Sequence, residues 1–287
     1  VEIIKDISGI KDRLSNEKKA GHNIGLVPTM GYLHEGHLNL IKKAVENNDV
    51  VVVSIFVNPT QFGPEEDYEE YPRDLDRDAR LAKKTGVDYI FSPEPDEMYF
   101  ADHSTFVQVE ELTDRLCGAF REGHFRGVAT VVSKLFNIIM PDKAYFGQKD
   151  FQQFVILKRM VRDLNIPVAM ERIPTVREED GLAVSSRNKY LSERGRETAA
   201  VLYKSLKKAR SLIKKGENDP EKIKNKIEAM IQKHDLTEIE YIEIVDPETL
   251  KSREEIRDKV VIALAVYVEE TRLIDNIYLD REEIPHA

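Results

Sequence analysis

Two histidines, His34 and His37, stand in the stretch Pro28-Thr29-Met30-Gly31-Tyr32-Leu33-His34-Glu35-Gly36-His37. A short apolar run, Ile24-Gly25-Leu26-Val27, precedes it, and Leu38 to Val45 follow with apolar residues at helical spacing. The pattern predicts a buried strand, a tight glycine-containing turn and the start of a helix. Both histidines then fall in the first helical turn, where backbone N–H groups and the positive dipole end favour phosphate. Gly31 and Gly36 let a ligand come close to the backbone. An imidazole N–H can donate to a phosphate oxygen, or carry a proton near neutral pH. Zinc is the alternative chemistry, but the i, i+3 spacing is not His-Glu-x-x-His and no third ligand is on offer. Two solvated histidines without a role are the other alternative.

Two further stretches carry phosphate chemistry. Gly147-Gln148-Lys149-Asp150 puts an ammonium beside the N–H cluster of the following helix, which suits an α- or β-phosphate. A Lys/Asp pair that caps the helix is the plainer alternative. Ser185-Ser186-Arg187 sets two hydroxyl donors beside a guanidinium, a match for phosphate or pyrophosphate, or else a cap for the next helix. Gln61 and Gln153 are neutral amides able to bind hydroxyl and carboxylate groups, although spacing alone favours a surface role for each. The three charged stretches each follow a strand of one expected sheet, so they can converge at its carboxyl edge.

The elements that must position these residues are legible as an alternation. Residues 1–20 read as a strand and a helix. Residues 49–57 are almost continuously apolar, as expected of a central parallel strand covered on both faces. That strand runs into the turn-rich loop Asn58-Pro59-Thr60-Gln61-Phe62-Gly63. A helix over 74–85 and a strand over 87–91 follow, then a short strand over 105–109. A loop over 121–127 leads to a helix over 128–139, a strand over 143–146, a helix over 151–164 and a strand over 167–173. The expected fold is α/β, a Rossmann-like parallel sheet with helices on both faces. Beyond residue 188 come charged amphipathic helices over 193–215 and 221–234. Strand-like runs over 239–245, 260–268 and 273–279 complete a smaller α+β C-terminal domain. The boundary is expected near 175–188, giving a catalytic domain over 1–180 and a C-terminal domain over 181–287 that covers the active site. Residues 67–71 are acidic, a solvated loop or a lid over the substrate.

The bulk properties exclude several classes. A net charge of −9 over 287 residues argues against a general nucleic-acid binder. Cys117 is the single cysteine, so an intrachain disulfide is excluded and the residue reads as a small buried hydrophobe. No apolar run approaches the roughly 20 residues of a membrane span. Val1 to Asp6 lack the apolar core of a signal peptide, so a cytoplasmic setting is expected.

Met30 to His37 resemble the HxGH signature of the nucleotidyltransferase superfamily, in the form typical of pantothenate synthetases. Four supporting stretches accompany it in order: Phe56-Val57-Asn58-Pro59-Thr60-Gln61-Phe62, Gly123-His124-Phe125-Arg126-Gly127-Val128, Phe146-Gly147-Gln148-Lys149-Asp150-Phe151-Gln152-Gln153 and Asp180-Gly181-Leu182-Ala183-Val184-Ser185-Ser186-Arg187-Asn188. The resemblance runs over essentially the whole chain. It implies a homodimer that uses ATP, with Mg²⁺ carried by the nucleotide and no protein-held metal, to join (R)-pantoate to β-alanine. In the family reaction the pantoate carboxylate attacks the α-phosphorus of ATP, giving pantoyl adenylate and pyrophosphate. β-Alanine then attacks the acyl carbon, giving pantothenate and AMP.

Residue by residue, the resemblance assigns Pro28, Met30, Gly31, Tyr32, Leu33, His34, Glu35, Gly36 and His37 to the ATP site, with His37 as proton donor. It adds Gly147, Gln148, Lys149, Asp150, Val176, Val184, Ser185, Ser186 and Arg187 to the ATP contacts. Gln61 meets pantoate and β-alanine, Gln153 meets pantoate, and Asn58 and Arg121 assist at the substrate and phosphate ends. His34, His37, Lys149 and Arg187 form the expected catalytic set. Gln148 stands where many members have Glu, and Val184 where many have Met or Leu; both positions can serve through their backbone. Two other readings remain at this point: a transferase joining a nucleotide to a phosphorylated alcohol, and a nucleotide-sensing module without turnover.

Overall fold

Ile24 to Thr29 and Val50 to Ile55 lack the alternation of a half-exposed strand, which requires a sheet covered on both faces. The computed structural model, which describes residues 1–64 and 66–284, forms such a sheet. The chain divides into two compact units, one of Val1–Asp114, Gly118–Gln148 and Ile156–Pro174, the other of Arg115–Cys117, Lys149–Val155 and Thr175–Ala287.

The first unit runs β1 (Glu2–Ile4), α1 (Ile7–Lys19), β2 (Ile24–Thr29), α2 (Glu35–Asn47), β3 (Val50–Ile55), α3 (Leu75–Thr85), β4 (Tyr89–Phe91), α4 (Pro95–Met98), α5 (His124–Ile139) and β5 (Lys143–Gly147). Helix α6 (Phe151–Asp163) leads on to β6 (Ala169–Ile173). The six strands are all parallel, in the order β1-β4-β3-β2-β5-β6. From β2 the chain moves outward through β3 and β4, then returns to place β5 on the other side of β2. The gap between the carboxyl ends of β2 and β5 is therefore the topological switch point, where open α/β sheets bind ligands. Helix α2 packs on α3, and α1 on α5, forming the helix layers that cover the sheet. Val27, Ile41, Val53, Ile90 and Tyr145 are buried in one cluster, each worth about 1.5–3 kcal/mol of apolar burial.

The helix starts follow local chemistry. Asp6 caps α1 through the Gly9 N–H, Asp74 caps α3 through the Arg77 N–H, and Gly86 ends α3 at φ 96°. Two expectations are corrected. Residues 105–109 form no strand, because the Val107 N–H is taken by the Thr130 hydroxyl at 2.9 Å instead of a neighbouring strand. Helix α5 starts at His124 and not at 128, because Gly123 turns the chain at φ 75° and releases the next residues into the first helical turn. Residues 66–71 are a run of turns and bends whose Tyr68, Glu69 and Tyr71 carbonyls all accept from the Arg73 guanidinium.

The second unit is α+β. Helices α7 (Glu193–Lys214) and α8 (Pro220–Ile231) precede an antiparallel sheet of β7 (Thr237–Val245), β8 (Val260–Val268) and β9 (Thr271–Leu279), with β8 central. Ser192 caps α7, and Asp219 with Pro220 at the first position starts α8. The core is Leu202, Leu206, Ile223, Ile227, Ile262 and Leu264, with their neighbours. The expected C-terminal domain runs to residue 287, and its last three residues lie outside the described ones.

Candidate active site

The His34–His37 stretch leaves the sheet at the end of β2. Here the Thr29 hydroxyl donates to the Ser54 carbonyl of β3 at 2.8 Å and accepts the Gly31 N–H at 3.1 Å. The chain then turns through Gly31 at φ 87° and Tyr32 at φ 51°, both left-handed. A Cβ on Gly31 would add a 3.0 Å approach to Ile55 to that conformational cost, so the turn demands glycine. His34 is the extended N-cap residue of α2. Its N–H donates to Nδ1 of His37 at 3.4 Å, and the two rings stack with centroids 3.9 Å apart. With Nδ1 accepting, the neutral His37 ring carries its proton on Nε2, the tautomer that can donate onward. Gly36 makes room for this stack: a Cβ there would lie 2.9 Å from His34 Cε1.

Two residues of α3, not singled out by the sequence, hold this loop. The Asp78 carboxylate, 1% exposed, accepts the Tyr32 N–H at 2.6 Å and the Leu33 N–H at 2.8 Å. The Arg77 guanidinium donates to Asp78 at 3.2 Å and to the Leu33 carbonyl at 2.9 Å, and lies over the Tyr32 ring. Burial raises the Asp78 carboxyl above its ordinary pKa, against the lowering pull of the two N–H groups and Arg77. In sequence, Asp78 is one acid among several in a charged helix start, so nothing marks it out.

At the end of β3 the loop is built around Asn58, which is 1% exposed. Its Oδ1 accepts from the Tyr99 hydroxyl at 2.8 Å and the Thr60 hydroxyl at 3.0 Å. Its Nδ2 donates to Gln61 Oε1 at 3.1 Å and to the Gly127 carbonyl at 3.2 Å. Gln61 in turn points its Nε2 at Met30 Sδ, 3.1 Å away. The structure thus brings Met30, Asn58 and Gln61 together, with Asn58 orienting the Gln61 amide. Arg121 is engaged from the other side: it forks onto Glu66 at 2.7 and 2.5 Å and donates to His124 Nε2 at 3.0 Å. His124 Nδ1 then donates to the Gln61 carbonyl at 2.8 Å. Burial pushes the Glu66 carboxyl up, but Arg121 more than offsets it and holds Glu66 below its ordinary value.

Gly127 lets α5 meet this loop. A Cβ there would stand 2.3 Å from the Thr60 carbonyl oxygen and 2.6 Å from the Gln61 nitrogen, both backbone atoms. Gly127→Ala is therefore expected to destabilise the chain by about 1–3 kcal/mol despite the better helix former. The urea midpoint measures it, and an unchanged or raised midpoint would show that the loop yields freely.

The remaining expected residues are in the second unit or at its junction. Gln148, Lys149 and Asp150 form a short 3₁₀ turn between β5 and α6, and Gln153 is half-buried on α6. Residues 176–184 form a tight hairpin: the Val184 N–H donates to the Val176 carbonyl at 3.0 Å, Arg177 bridges Ala183, and Gly181 takes φ 96° at the turn. Val176 and Val184 are thereby paired. Ser185 caps the following 3₁₀ turn by accepting the Arg187 N–H at 3.3 Å, so the capping alternative is realised for its hydroxyl. Strand β9 supports both segments. Asn276 Nδ2 donates to the Lys149 carbonyl at 2.9 Å, and Asp275 takes both ends of the Arg177 guanidinium at 2.6 and 2.8 Å. Arg177 also lies over the Tyr203 ring at 3.7 Å. These β9 residues were missed in sequence because polar side chains on a strand of mixed pattern carry no signal of what they face.

The comparisons with known proteins identify the family. The model of the pantoate-beta-alanine ligase family matches residues 2–278. The chain belongs to this family. It is an enzyme that ligates pantoate to β-alanine, in pantothenate biosynthesis. The pantothenate synthetase of Fervidobacterium nodosum is 58% identical over 281 residues, 98% of this chain and 100% of that one. That of Moorella thermoacetica is 55% identical over 98% of this chain and 99% of its own. A crystal structure of pantothenate synthetase from Thermus thermophilus superposes with a TM-score of 0.93 at 44% identity, covering 99% of this chain and 100% of the other. A pantoate-beta-alanine ligase from Francisella tularensis, solved as a complex with beta-gamma ATP and beta-alanine, superposes with a TM-score of 0.79 at 35% identity over 98% of each chain.

Proposed function

We propose that the chain condenses (R)-pantoate with β-alanine through a pantoyl adenylate formed from ATP. The observation that carries this reading is the stacked His34–His37 pair at the end of β2, beside the switch point of the parallel sheet. The Francisella relative's complex with beta-gamma ATP and beta-alanine supports the same pair of ligands here.

In the first step a pantoate carboxylate oxygen bonds to the α-phosphorus, and the bond to the bridging oxygen breaks, so pyrophosphate leaves with that electron pair. A carboxylate with a pKa near 4 is already anionic at pH 7 and needs no base. The obstacle is bringing it to an anionic phosphate and holding the charge that builds there. His34, His37, Lys149 and Arg187 are assigned to that charge, with His37 donating from Nε2. Pro28, Met30 to Leu33, Glu35, Gly36, Gly147, Gln148, Asp150, Val176, Val184, Ser185 and Ser186 are assigned to ATP, Gln61 to pantoate and β-alanine, and Gln153 to pantoate. Asn58 and Arg121 act at one remove, through the Gln61 amide and carbonyl. In the second step the neutral amine of β-alanine bonds to the acyl carbon, AMP leaves, and the amine gives up a proton.

Mg²⁺ is assigned as a companion of the nucleotide phosphates, the setting in which this cation is commonly bound. Among the described residues no helix is long and apolar enough to cross a membrane. The reading places the enzyme in the cytoplasm as a homodimer.

The test is to incubate the chain with ATP, Mg²⁺ and pantoate, with and without β-alanine, and to follow pyrophosphate and AMP. Pyrophosphate is expected with pantoate, and AMP only when β-alanine is added. Pyrophosphate without AMP would select a different nucleotidyl transfer, and neither product would select a binding module.

A further inference from the structure

We propose that Asp78, buttressed by Arg77, is the positioning residue of the histidine loop: it fixes Tyr32 and Leu33, and through them sets His34 and His37 for the first chemical step. The inference rests on the reading of that loop as the ATP site.

The geometry has three parts. First, the loop is conformationally costly, since Tyr32 is a non-glycine residue at φ 51°, directly after Gly31 at φ 87°. Such a conformation persists only when its surroundings over-determine it. Second, the surroundings that do so are concentrated in one side chain. Both N–H groups that follow the turn, Tyr32 at 2.6 Å and Leu33 at 2.8 Å, donate to the two oxygens of one buried carboxylate. Two converging N–H donors require an acceptor-only group, which an ionised aspartate is and an asparagine is not. Third, Arg77 completes the clamp by donating to the Leu33 carbonyl while it faces Asp78, so both polar ends of the loop backbone are held from α3. His34 is the residue after Leu33, and its backbone N–H is the group that orients the His37 ring. A relaxed Leu33 therefore displaces the N-cap, the ring stack and the Nε2 proton together. Asp78 touches no reacting atom in this scheme.

The test is Asp78→Asn, which keeps volume but turns an amide N–H toward the donors. Pyrophosphate release is measured per folded protein, with folded fraction taken from circular dichroism. We expect kcat for pyrophosphate release to fall by at least about tenfold, while KM for pantoate stays within about twofold. The ¹⁵N imidazole signals of His37 should also leave the Nε2–H pattern, which a merely structural loss elsewhere would not change. A smaller fall in kcat, with His37→Ala still disabling the enzyme, overturns the positioning role and leaves the ATP reading intact. Full pyrophosphate release from His37→Ala overturns the ATP reading and the inference with it. Should Asp78→Asn not fold, Arg77→Met decides on the same assay. A fall of at least about threefold supports the clamp, and an unchanged kcat overturns it.

Discussion

Lys149→Ala is expected to release pyrophosphate about 10²–10³-fold more slowly than the parent chain, a loss of about 2.7–4 kcal/mol of transition-state stabilisation. Because the pantoate carboxylate is already charged, the barrier of the first step is electrostatic, and fixed positive groups at the phosphate carry most of the catalysis. Lys149 lies in the turn that leads straight into α6, and its carbonyl is pinned by Asn276, so its backbone is set before any ligand arrives. Preorganisation of this kind separates a catalytic cation from a surface one. Lys149→Arg keeps the charge but replaces a compact ammonium with a planar fork, and an intermediate rate is expected. A fall of less than tenfold for Lys149→Ala, about 1.4 kcal/mol, would remove Lys149 from the catalytic set. KM for β-alanine should stay near the parent value, since that substrate reacts at the acyl carbon and not at the phosphate to which Lys149 is assigned.

The reach of sequence reasoning divides along physical lines. The strands of the parallel sheet were legible because burial on both faces makes them continuously apolar, as in Val50 to Val53. The long helices of the second unit were legible from their charged amphipathic pattern, and the caps Ser192 and Asp219 emerge only in the structure. The short strand expected over 105–109 fails because its pattern says nothing of competing acceptors, and the Thr130 hydroxyl takes the donor. The start of α5 fails because the left-handed Gly123 and the close packing of Gly127 on the Thr60 backbone are facts of tertiary contact. The candidate site follows the same division. Groups proposed to meet a ligand, His34, His37 and Lys149, announce themselves through residue type and place after a strand. The groups that aim them, Asp78, His124 and Asn276, are ordinary polar residues whose partners are 45 or more residues away, and only the folded chain identifies them. Asn58 and Arg121 sit between these classes: they were marked as substrate contacts, and their side chains hold Gln61 and Glu66.

Asp275→Ala is expected to be the most damaging substitution for stability, at about 3–5 kcal/mol. Asp275 is 3% exposed, on β9, and its carboxylate accepts both ends of the Arg177 guanidinium and the Asn276 N–H. Arg177 is itself mostly covered, with its charge against the Tyr203 ring and a further bond to the Gly181 carbonyl. Deleting the carboxylate leaves that guanidinium desolvated and without its counter-charge, which costs far more than the lost contact alone. The damage has an address: Arg177 and Gly181 belong to the hairpin that carries Val176 and Val184 into Ser185–Arg187, so the segment proposed to bind ATP loosens with the pair. The double variant Asp275→Leu with Arg177→Met removes both charges together, and it should lose less than Asp275→Ala alone. The chain has no tryptophan, so urea unfolding is followed by circular dichroism and tyrosine fluorescence, and stability is read from the midpoint at constant slope. A single variant within about 1 kcal/mol of the parent would mean that water or another acceptor reaches Arg177, and that the pair does not hold the hairpin.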